Sequence, residues 1–177
     1  GKLVIDDSLY DLLDVSRKFV EEGLTQDTEG QSEAWFAGMN GDNVFGYSLP
    51  TWGLHYWLKP NATAADNSSS TEGDWRMIQG PSSWFWGGTW IGATANSEMQ
   101  EEAAQLVAYL TTDQAFLKQW AEDTGDFVSN ERVVEEIKGE YEEEFLGGQN
   151  HYAEFADMVQ DINAKILTEY DQTIETL

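Results

Sequence analysis

Residues 80–92 constrain the fold most, because they combine three tryptophans with a glycine pair in the order Gly-Pro-Ser-Ser-Trp-Phe-Trp-Gly-Gly-Thr-Trp-Ile-Gly. Trp84 and Trp86 are two positions apart, so on an extended chain both indoles point to the same side. Gly87 and Gly88 let the backbone approach another surface closely, whether that surface is a ligand or a neighbouring strand. The stretch therefore fits either a buried aromatic strand with a glycine bulge or an aromatic platform for a ligand.

The aromatic side chains fall into two groups by their positions in the chain. Trp35, Phe116 and Trp120 lie on helical faces and are predicted to be core residues. Tryptophans at chain turns are better placed to meet a ligand, because flat aromatic faces beside backbone donors and acceptors suit a sugar ring. The predicted ligand-binding residues are Trp86 and Trp90 first, followed by Trp52, Gly87, Gly88, Trp84, Tyr47 and Asp126.

The charge of the chain limits its partners. There are 33 Asp and Glu residues against 9 Lys and Arg, which gives a net charge of −24. Such a chain repels phosphate backbones and anionic lipid, and its basic residues form no cluster, so we expect no nucleic-acid or membrane-surface partner. The acidity is interpreted as an adaptation for solubility or salt. The chain has no cysteine, so it has no disulfide framework and no thiolate site.

Apolar residues at helical spacing predict helices, and capping residues and glycines predict where they end. The predicted helices run from Asp6 or Asp7 to Gly23 and then cover 32–39, 52–58, 97–110, 111–125, 130–137 and 151–166. The helix at 52–58 is expected to stop at Lys59-Pro60. The pairs Ser97 with Gln100 and Thr111 with Gln114 have capping-box spacing and are expected to start their helices.

Short runs of alternating or β-branched residues predict strands at 44–49, 75–79 and 89–95, with a polar loop at 61–74. Helices that alternate with a few short strands indicate an α/β fold, rich in helix and with a small mixed sheet.

Enzymatic chemistry is poorly represented in the sequence. His55 and His151 are the only histidines, and the chain has no zinc-protease, nucleophile-elbow or Walker motif. The acids are too numerous for any one pair to be informative, and those at 66–74 have the wrong spacing for a calcium loop. We therefore expect a protein that is not an enzyme and uses no cofactor and no metal.

Several short motifs occur in an order that matches a known family. They are Glu-Glu-Gly-Leu at 21–24, Trp-Phe-Ala-Gly-Met at 35–39, Trp-Gly-Gly-Thr-Trp at 86–90, Leu-Thr-Thr-Asp at 110–113, Asp-Thr-Gly-Asp at 123–126 and Val-Ser-Asn at 128–130. In this order and spacing, from about residue 6 to residue 173, the chain resembles the extracellular solute-binding proteins, family 1, of bacterial carbohydrate ABC transporters.

The resemblance implies a periplasmic-binding-protein-like fold of type II, in which a sugar binds between two lobes and is delivered to an ABC transporter permease. It also implies an extracellular or cell-envelope location, with a lipid anchor in the full-length protein. By position, Trp86, Gly87, Gly88 and Trp90 would line or border the cleft, and Trp52 would come from the second lobe. Residues 86–111 would be the segment that returns toward the first lobe.

The chain departs from the family in length, because the first lobe and the final helices have no counterpart here. Residues 1–177 are therefore predicted to be an incomplete C-terminal lobe, whose exposed apolar face is hidden by local rearrangement or by pairing with a second copy. The predicted function is non-catalytic binding of a mono- or oligosaccharide. The alternatives are a glycoside hydrolase fragment that uses a carboxylate pair and a cell-surface carbohydrate-binding or adhesion module.

Overall fold

The structure, a computed structural model, describes residues 5–163 and, beyond them, residues 168, 170, 171, 173 and 176. The chain divides into two compact units, Gly1–Trp35 and Phe36–Leu177. The described residues are 48% helical and 2% strand. None of the described helices combines the length and the apolar composition needed to cross a membrane.

The first unit contains helix α1, Asp7–Glu21, as the sequence predicts. Asp6 is the N-cap, and its carboxylate accepts the backbone N–H two residues later at 2.9 Å. Gly23 follows the helix at φ +66°, and the N–H of Leu24 returns to the carbonyl of Phe19. The helix is confirmed, and its apolar face is exposed at Leu9, Leu12, Leu13, Phe19 and Val20.

The second unit consists of short helices joined by loops, and helix α2, Glu33–Ala37, spans the boundary between the units in sequence. Its further helices are a 3₁₀ turn at Gly38–Asn40, a π-helix at Leu54–Leu58, α3 at Lys59–Asn61, α4 at Gln100–Thr112, α5 at Gln114–Thr124, α6 at Glu131–Ile137, a 3₁₀ turn at Glu144–Leu146, α7 at His151–Met158 and a 3₁₀ turn at Val159–Asp161. Helix α4 packs on α5, α5 on α6, and α6 on α7.

The core of the second unit lies among α5, α6 and α7. Tyr152 is fully buried, and its ring centroid lies 5.3 Å from that of Phe127 and 4.8 Å from that of Tyr141. Its hydroxyl donates a hydrogen bond to the carbonyl of Asp126, which satisfies both polar groups. Removal of apolar side chains from water at one place is the main stabilising contribution. The buried residues of this core cluster are Leu117, Ala121, Val128, Val133, Val134, Ile137, Tyr152 and Ala156.

Three boundaries in this unit lie where the sequence predicts them. Asn130 caps α6, because its side-chain oxygen accepts the N–H of Val133 at 3.3 Å. Gly125 ends α5 in the left-handed conformation at φ +75°. Gly147 and Gly148 both have positive φ and separate a 3₁₀ turn from α7. Local capping and glycine signals therefore identify these ends correctly.

The starts of α4 and α5 differ from the prediction. Helix α4 begins at Gln100, and Ser97 lies in the preceding loop, where its hydroxyl accepts the N–H of Met99. The side chain of Gln100 donates to loop carbonyls, including that of Ser97, and so does not form a capping box. Asp113 caps α5, because a carboxylate one position before the helix outcompetes Thr111, which remains in α4.

The last helix is shorter than its apolar pattern predicts. Helix α7 covers His151–Met158 and passes into the 3₁₀ turn at Val159–Asp161. Ile166, the last residue of the predicted pattern, lies outside the described residues.

The prediction of an α/β fold with a small mixed sheet is wrong. The described residues contain two isolated bridges, Thr63 with Ser70 and Glu143 with Gln149, in place of a sheet. The predicted strands at 44–49, 75–79 and 89–95 are irregular segments. A strand is stable only when neighbouring strands pair with it, and glycines within a segment weaken it further. The type II periplasmic-binding-protein architecture depends on such a sheet, so the prediction of this architecture is wrong as well.

Side chains provide the backbone partners that a neighbouring strand would give to residues 75–90. The carboxamide of Gln149 bonds both backbone groups of Met77, accepting its N–H and donating to its carbonyl, each at 2.7 Å. The indole N–H of Trp52 donates to the carbonyl of Trp86 at 2.9 Å. These three side-chain hydrogen bonds hold the segment at Met77 and Trp86 without a ladder.

The predicted stop at Lys59-Pro60 is also wrong, because the helix widens instead of ending. Proline has no N–H, and its ring collides with the carbonyl four residues earlier in a regular helix. The turn before Pro60 is the π-helix Leu54–Leu58, in which the N–H of Lys59 bonds to the carbonyl of Leu54. This wider turn accommodates the proline ring, and Trp57 is buried on it.

Candidate functional site

Four side chains of the second unit, Trp52, Trp57, Trp84 and Trp86, form what we call the tryptophan cluster. The ring centroid of Trp86 lies 6.0 Å from that of Trp52, 5.6 Å from that of Trp57 and 5.8 Å from that of Trp84. Trp52 and Trp57 are 4.5 Å apart. The contacts among Trp52, Trp57 and Trp86 have interplanar angles of 63° to 65°, the edge-to-face geometry that aromatic rings favour.

Two glycines permit this packing. Gly87 has φ +76°, and a Cβ there would lie 3.3 Å from the indole nitrogen of Trp52. Gly53 is buried, and a Cβ there would lie 2.9 Å from Cβ of Leu49 and 3.3 Å from Cε3 of Trp57. Gly87 is a predicted ligand-binding residue, and in the structure it brings the backbone close to Trp52.

Two members of the cluster are largely covered and two are exposed. Trp57 is 8% exposed and Trp52 is half-buried. Trp84 and Trp86 are 42% and 46% exposed. Each exposed indole keeps apolar area in water that would contribute roughly 25 cal/mol per Å² on burial. Packing against Trp52 and Trp57 thus fixes the position of Trp86 while part of its ring stays accessible.

The remaining predicted site residues have other surroundings. Trp90 is 90% exposed, and Gly88 has φ +127°, which side-chain-bearing residues rarely adopt. The carboxylate of Asp126 accepts a hydrogen bond from the indole N–H of Trp120 at 3.3 Å. Burial raises the pKa of Tyr47. The structure therefore brings together Trp52, Trp84, Trp86 and Gly87 from the predicted set.

Trp57 is the cluster member that the sequence interpretation omitted. It lies five positions after Trp52, and in a regular helix residues at this spacing point in different directions. The intervening π-helical turn bonds residues five apart and brings the two indoles to one side. The available signal was Pro60, which disfavours a regular helix over the turn before it.

Two buried polar atoms next to the cluster in sequence lack hydrogen-bond partners among the described residues. They are Oγ of Ser83 and Nδ1 of His55. Ser83 precedes Trp84, and His55 lies between Trp52 and Trp57. A buried polar atom without a partner costs about 1–3 kcal/mol.

The two segments that supply the cluster contain no charged residue. Residues 43–58 and 77–97 have no Asp, Glu, Lys or Arg, although these four residue types make up 24% of the chain. The flanking cations are engaged elsewhere, since Lys59 pairs with Glu143 at 2.7 Å and Arg76 donates to backbone carbonyls. The cluster is thus built from neutral stretches of a strongly acidic chain.

A second polar group of side chains surrounds Gly125. Glu143 is buried and paired with Lys59, and burial together with this carboxylate raises the pKa of Tyr141 to about 12. His151 is fully buried, a ring nitrogen bonds the carbonyl of Gly125 at 2.9 Å, and burial lowers the pKa of His151. Glu143, Lys59 and Tyr141 contact one another, whereas Nδ1 of His151 is buried without a hydrogen-bond partner among the described residues. Among the described residues, no three His, Cys, Asp or Glu side chains are grouped to hold a metal ion.

Comparisons with protein-family models, with curated proteins and with solved structures found no match for this chain. The resemblance to solute-binding proteins therefore stays a prediction.

Proposed function

We propose that the tryptophan cluster binds a carbohydrate without transforming it, and that sugar rings stack on the exposed faces of Trp84 and Trp86. The observation that supports this most is a pair of exposed indoles, Trp84 and Trp86, whose ring centroids are 5.8 Å apart. They belong to one cluster with the more buried indoles of Trp52 and Trp57. Aromatic rings that are already ordered lose little conformational entropy when a ligand binds. The C–H face of a sugar is apolar and matches them.

The polar rim of a sugar also needs partners, and the segment around the cluster provides them. Residues 82–90 form no ladder with another described segment, so their backbone groups are not committed to a sheet. A ligand with both apolar faces and hydroxyl groups uses these features together.

The wider proposal is an extracellular, lipid-anchored solute-binding protein that delivers the sugar to an ABC transporter permease. Its support is the order of the short motifs, above all Trp-Gly-Gly-Thr-Trp at 86–90. The first tryptophan of this motif is the centre of the tryptophan cluster.

Replacing Trp84 by alanine is expected to weaken saccharide binding while leaving the fold intact. Loss of one aromatic stacking partner costs about 1–3 kcal/mol, which is roughly a five- to 150-fold loss of affinity. Trp84 is 42% exposed and packs on Trp86 at the edge of the cluster, so little core packing is lost. Isothermal titration calorimetry against neutral mono-, di- and trisaccharides measures the change.

Trp120→Ala is the matched control, because Trp120 is 41% exposed and packs on Phe116 rather than on the cluster. Its saccharide affinity should equal that of the unmodified chain. The proposal fails if both variants lose affinity equally, if Trp84→Ala binds as well as the unmodified chain, or if no saccharide in the panel binds at millimolar concentration.

A further inference from the structure

We propose that Asn67 is the acceptor site for an N-linked oligosaccharide in the folded protein, and that Asn61, which lies in the same kind of sequence, is not. The acceptor sequence for this modification is Asn-x-Ser or Asn-x-Thr, with any residue except proline in the middle. The chain contains it twice, as Asn-Ala-Thr at 61–63 and as Asn-Ser-Ser at 67–69. Both sequences fit the pattern equally well, and the structure distinguishes them.

The modification requires two side chains that are accessible at the same time. Nδ2 of the asparagine forms a bond to the anomeric carbon of a sugar that is carried on a polyprenyl diphosphate. The bond from this carbon to the diphosphate oxygen breaks, the diphosphate leaves with the electron pair, and the amide nitrogen gives up one proton. The transferase recognises the hydroxyl of the third residue. The carboxamide and this hydroxyl must therefore both be free of other partners.

Asn61 is held within the fold. It is the last residue of α3, is half-buried, and donates from Nδ2 to the carbonyl of Trp57 at 2.8 Å. The next residue, Ala62, is 1% exposed. The hydroxyl of Thr63 pairs with that of Ser70 at 2.8 Å. A transferase would have to break these hydrogen bonds and open the end of α3 before it could reach the amide.

Asn67 lies at the tip of a loop, and residues 67–69 are all exposed. Within the part of the chain that the structure describes, neither the carboxamide of Asn67 nor the hydroxyl of Ser69 forms a hydrogen bond. The two groups that the modification needs are thus free at this sequence, whereas both are engaged at 61–63.

The loop presents the second sequence in a defined shape. Its ends are joined by the bridge between Thr63 and Ser70, and the N–H of Ala64 donates to the carbonyl of Ser69 at 3.0 Å. The N–H of Asn67 donates to the carbonyl of Ala64 at 2.8 Å, and Asn67 has φ +56°. Asparagine tolerates this left-handed conformation better than most residues. A role in the turn would explain the asparagine, but it does not require the hydroxyl at 69.

The test uses the purified, folded chain with a polyprenyl-diphosphate-linked oligosaccharide. The enzyme is a single-subunit oligosaccharyltransferase, chosen because it modifies synthetic peptides of residues 58–66 and 64–72. Peptide mapping by mass spectrometry gives the rate at each site. We expect one glycan per folded chain, on Asn67, at a rate within about threefold of that in its peptide. Asn61 should react at least about tenfold more slowly than in its own peptide, because its hydrogen bonds must open first.

Substitutions at two neighbouring serines separate the acceptor role from the turn. Ser69→Ala removes the hydroxyl and should abolish the modification of Asn67, while Ser69→Thr should retain it. Ser68→Ala is the matched control, because Ser68 is also exposed and is the variable middle residue of the acceptor sequence. All three variants should melt at the temperature of the parent chain, since exposed loop substitutions have little effect on stability.

Three results would overturn the inference. They are a folded chain that is not modified at Asn67 although the 64–72 peptide is, an Asn61 that reacts as fast as Asn67, and a Ser69→Ala variant that is modified as readily as the parent chain. None of them bears on the proposed saccharide binding by the tryptophan cluster, which is tested separately with Trp84→Ala.

Discussion

Replacing Tyr152 by alanine is expected to lower the free energy of unfolding of the second unit by about 3–5 kcal/mol, the cost of removing a large buried aromatic side chain. Tyr152 is 0% exposed and contacts the rings of Phe127, Tyr141 and His151 at 4.8 to 5.3 Å. The substitution leaves a cavity and removes the donor to the carbonyl of Asp126. Since domains have only about 5–15 kcal/mol of net stability, urea denaturation followed by circular dichroism should show a large shift of the midpoint.

Two control variants divide this loss into its parts. Tyr152→Phe keeps the ring and removes only the hydroxyl, so we expect a loss of about 1–3 kcal/mol from the unpaired carbonyl. Tyr56→Ala removes a tyrosine that is 55% exposed and should cost less than about 1 kcal/mol. A Tyr152→Ala variant that is no less stable than Tyr56→Ala would show that the core is not where we place it.

Replacing Gly125 by alanine is expected to cost about 2–5 kcal/mol, because backbone strain and steric overlap act together. Gly125 is buried at φ +75°, and an added Cβ would lie 2.9 Å from Oε2 of Glu143 and 3.1 Å from the hydroxyl of Tyr141. Glu143 cannot move away freely, since the same oxygen pairs with Lys59 at 2.7 Å. Denaturation curves measured for the variant and the unmodified chain give the difference.

Gly148→Ala is the control for this prediction, because Gly148 has φ +84° but nothing within 4 Å of an added Cβ. It should show only the cost of the left-handed backbone, about 1–2 kcal/mol. Equal losses in the two variants would mean that the contacts around Glu143 contribute nothing to the effect.

Local signals in the sequence predict much of the helical structure. Asp6, Asn130 and the glycines at 23 and 125 identify helix ends correctly, because capping and left-handed termini depend on a few neighbouring residues. Pro60 misleads when taken as a stop signal, since a π-helical turn accommodates it inside the helix.

Local signals do not predict a sheet in the same way, because a strand needs a partner strand that is often far away in the chain. Residues 75–79 carry a strand-like pattern, yet the groups that bond Met77 belong to the side chain of Gln149. Nothing in the local pattern indicates that a carboxamide 72 residues away takes the place of a neighbouring strand. Long-range pairing decides the fold class here, and the α/β prediction is wrong for that reason.

The candidate site was predictable in part. Tryptophans at turns led to Trp52, Trp84 and Trp86, which the structure brings together. Trp57 was missed, because its position depends on the widened helical turn. Asp126 is also a predicted site residue, and in the structure its carboxylate accepts a hydrogen bond from the indole N–H of Trp120. The aromatic composition of the sequence thus indicates the kind of surface. Which tryptophans form it follows only from the contacts between their rings in the structure.

The central claim, that Trp84 and Trp86 form the face that a neutral saccharide covers, is tested most directly by the indole N–H resonances of the ¹⁵N-labelled chain. Single Trp→Phe variants assign the signals of the eight tryptophans. We predict that titration with a neutral trisaccharide shifts the Trp84 and Trp86 signals and leaves that of Trp120 in place. The account is contradicted if the cluster signals do not respond to any saccharide, or if they shift with protein concentration alone, which would identify a surface for self-association.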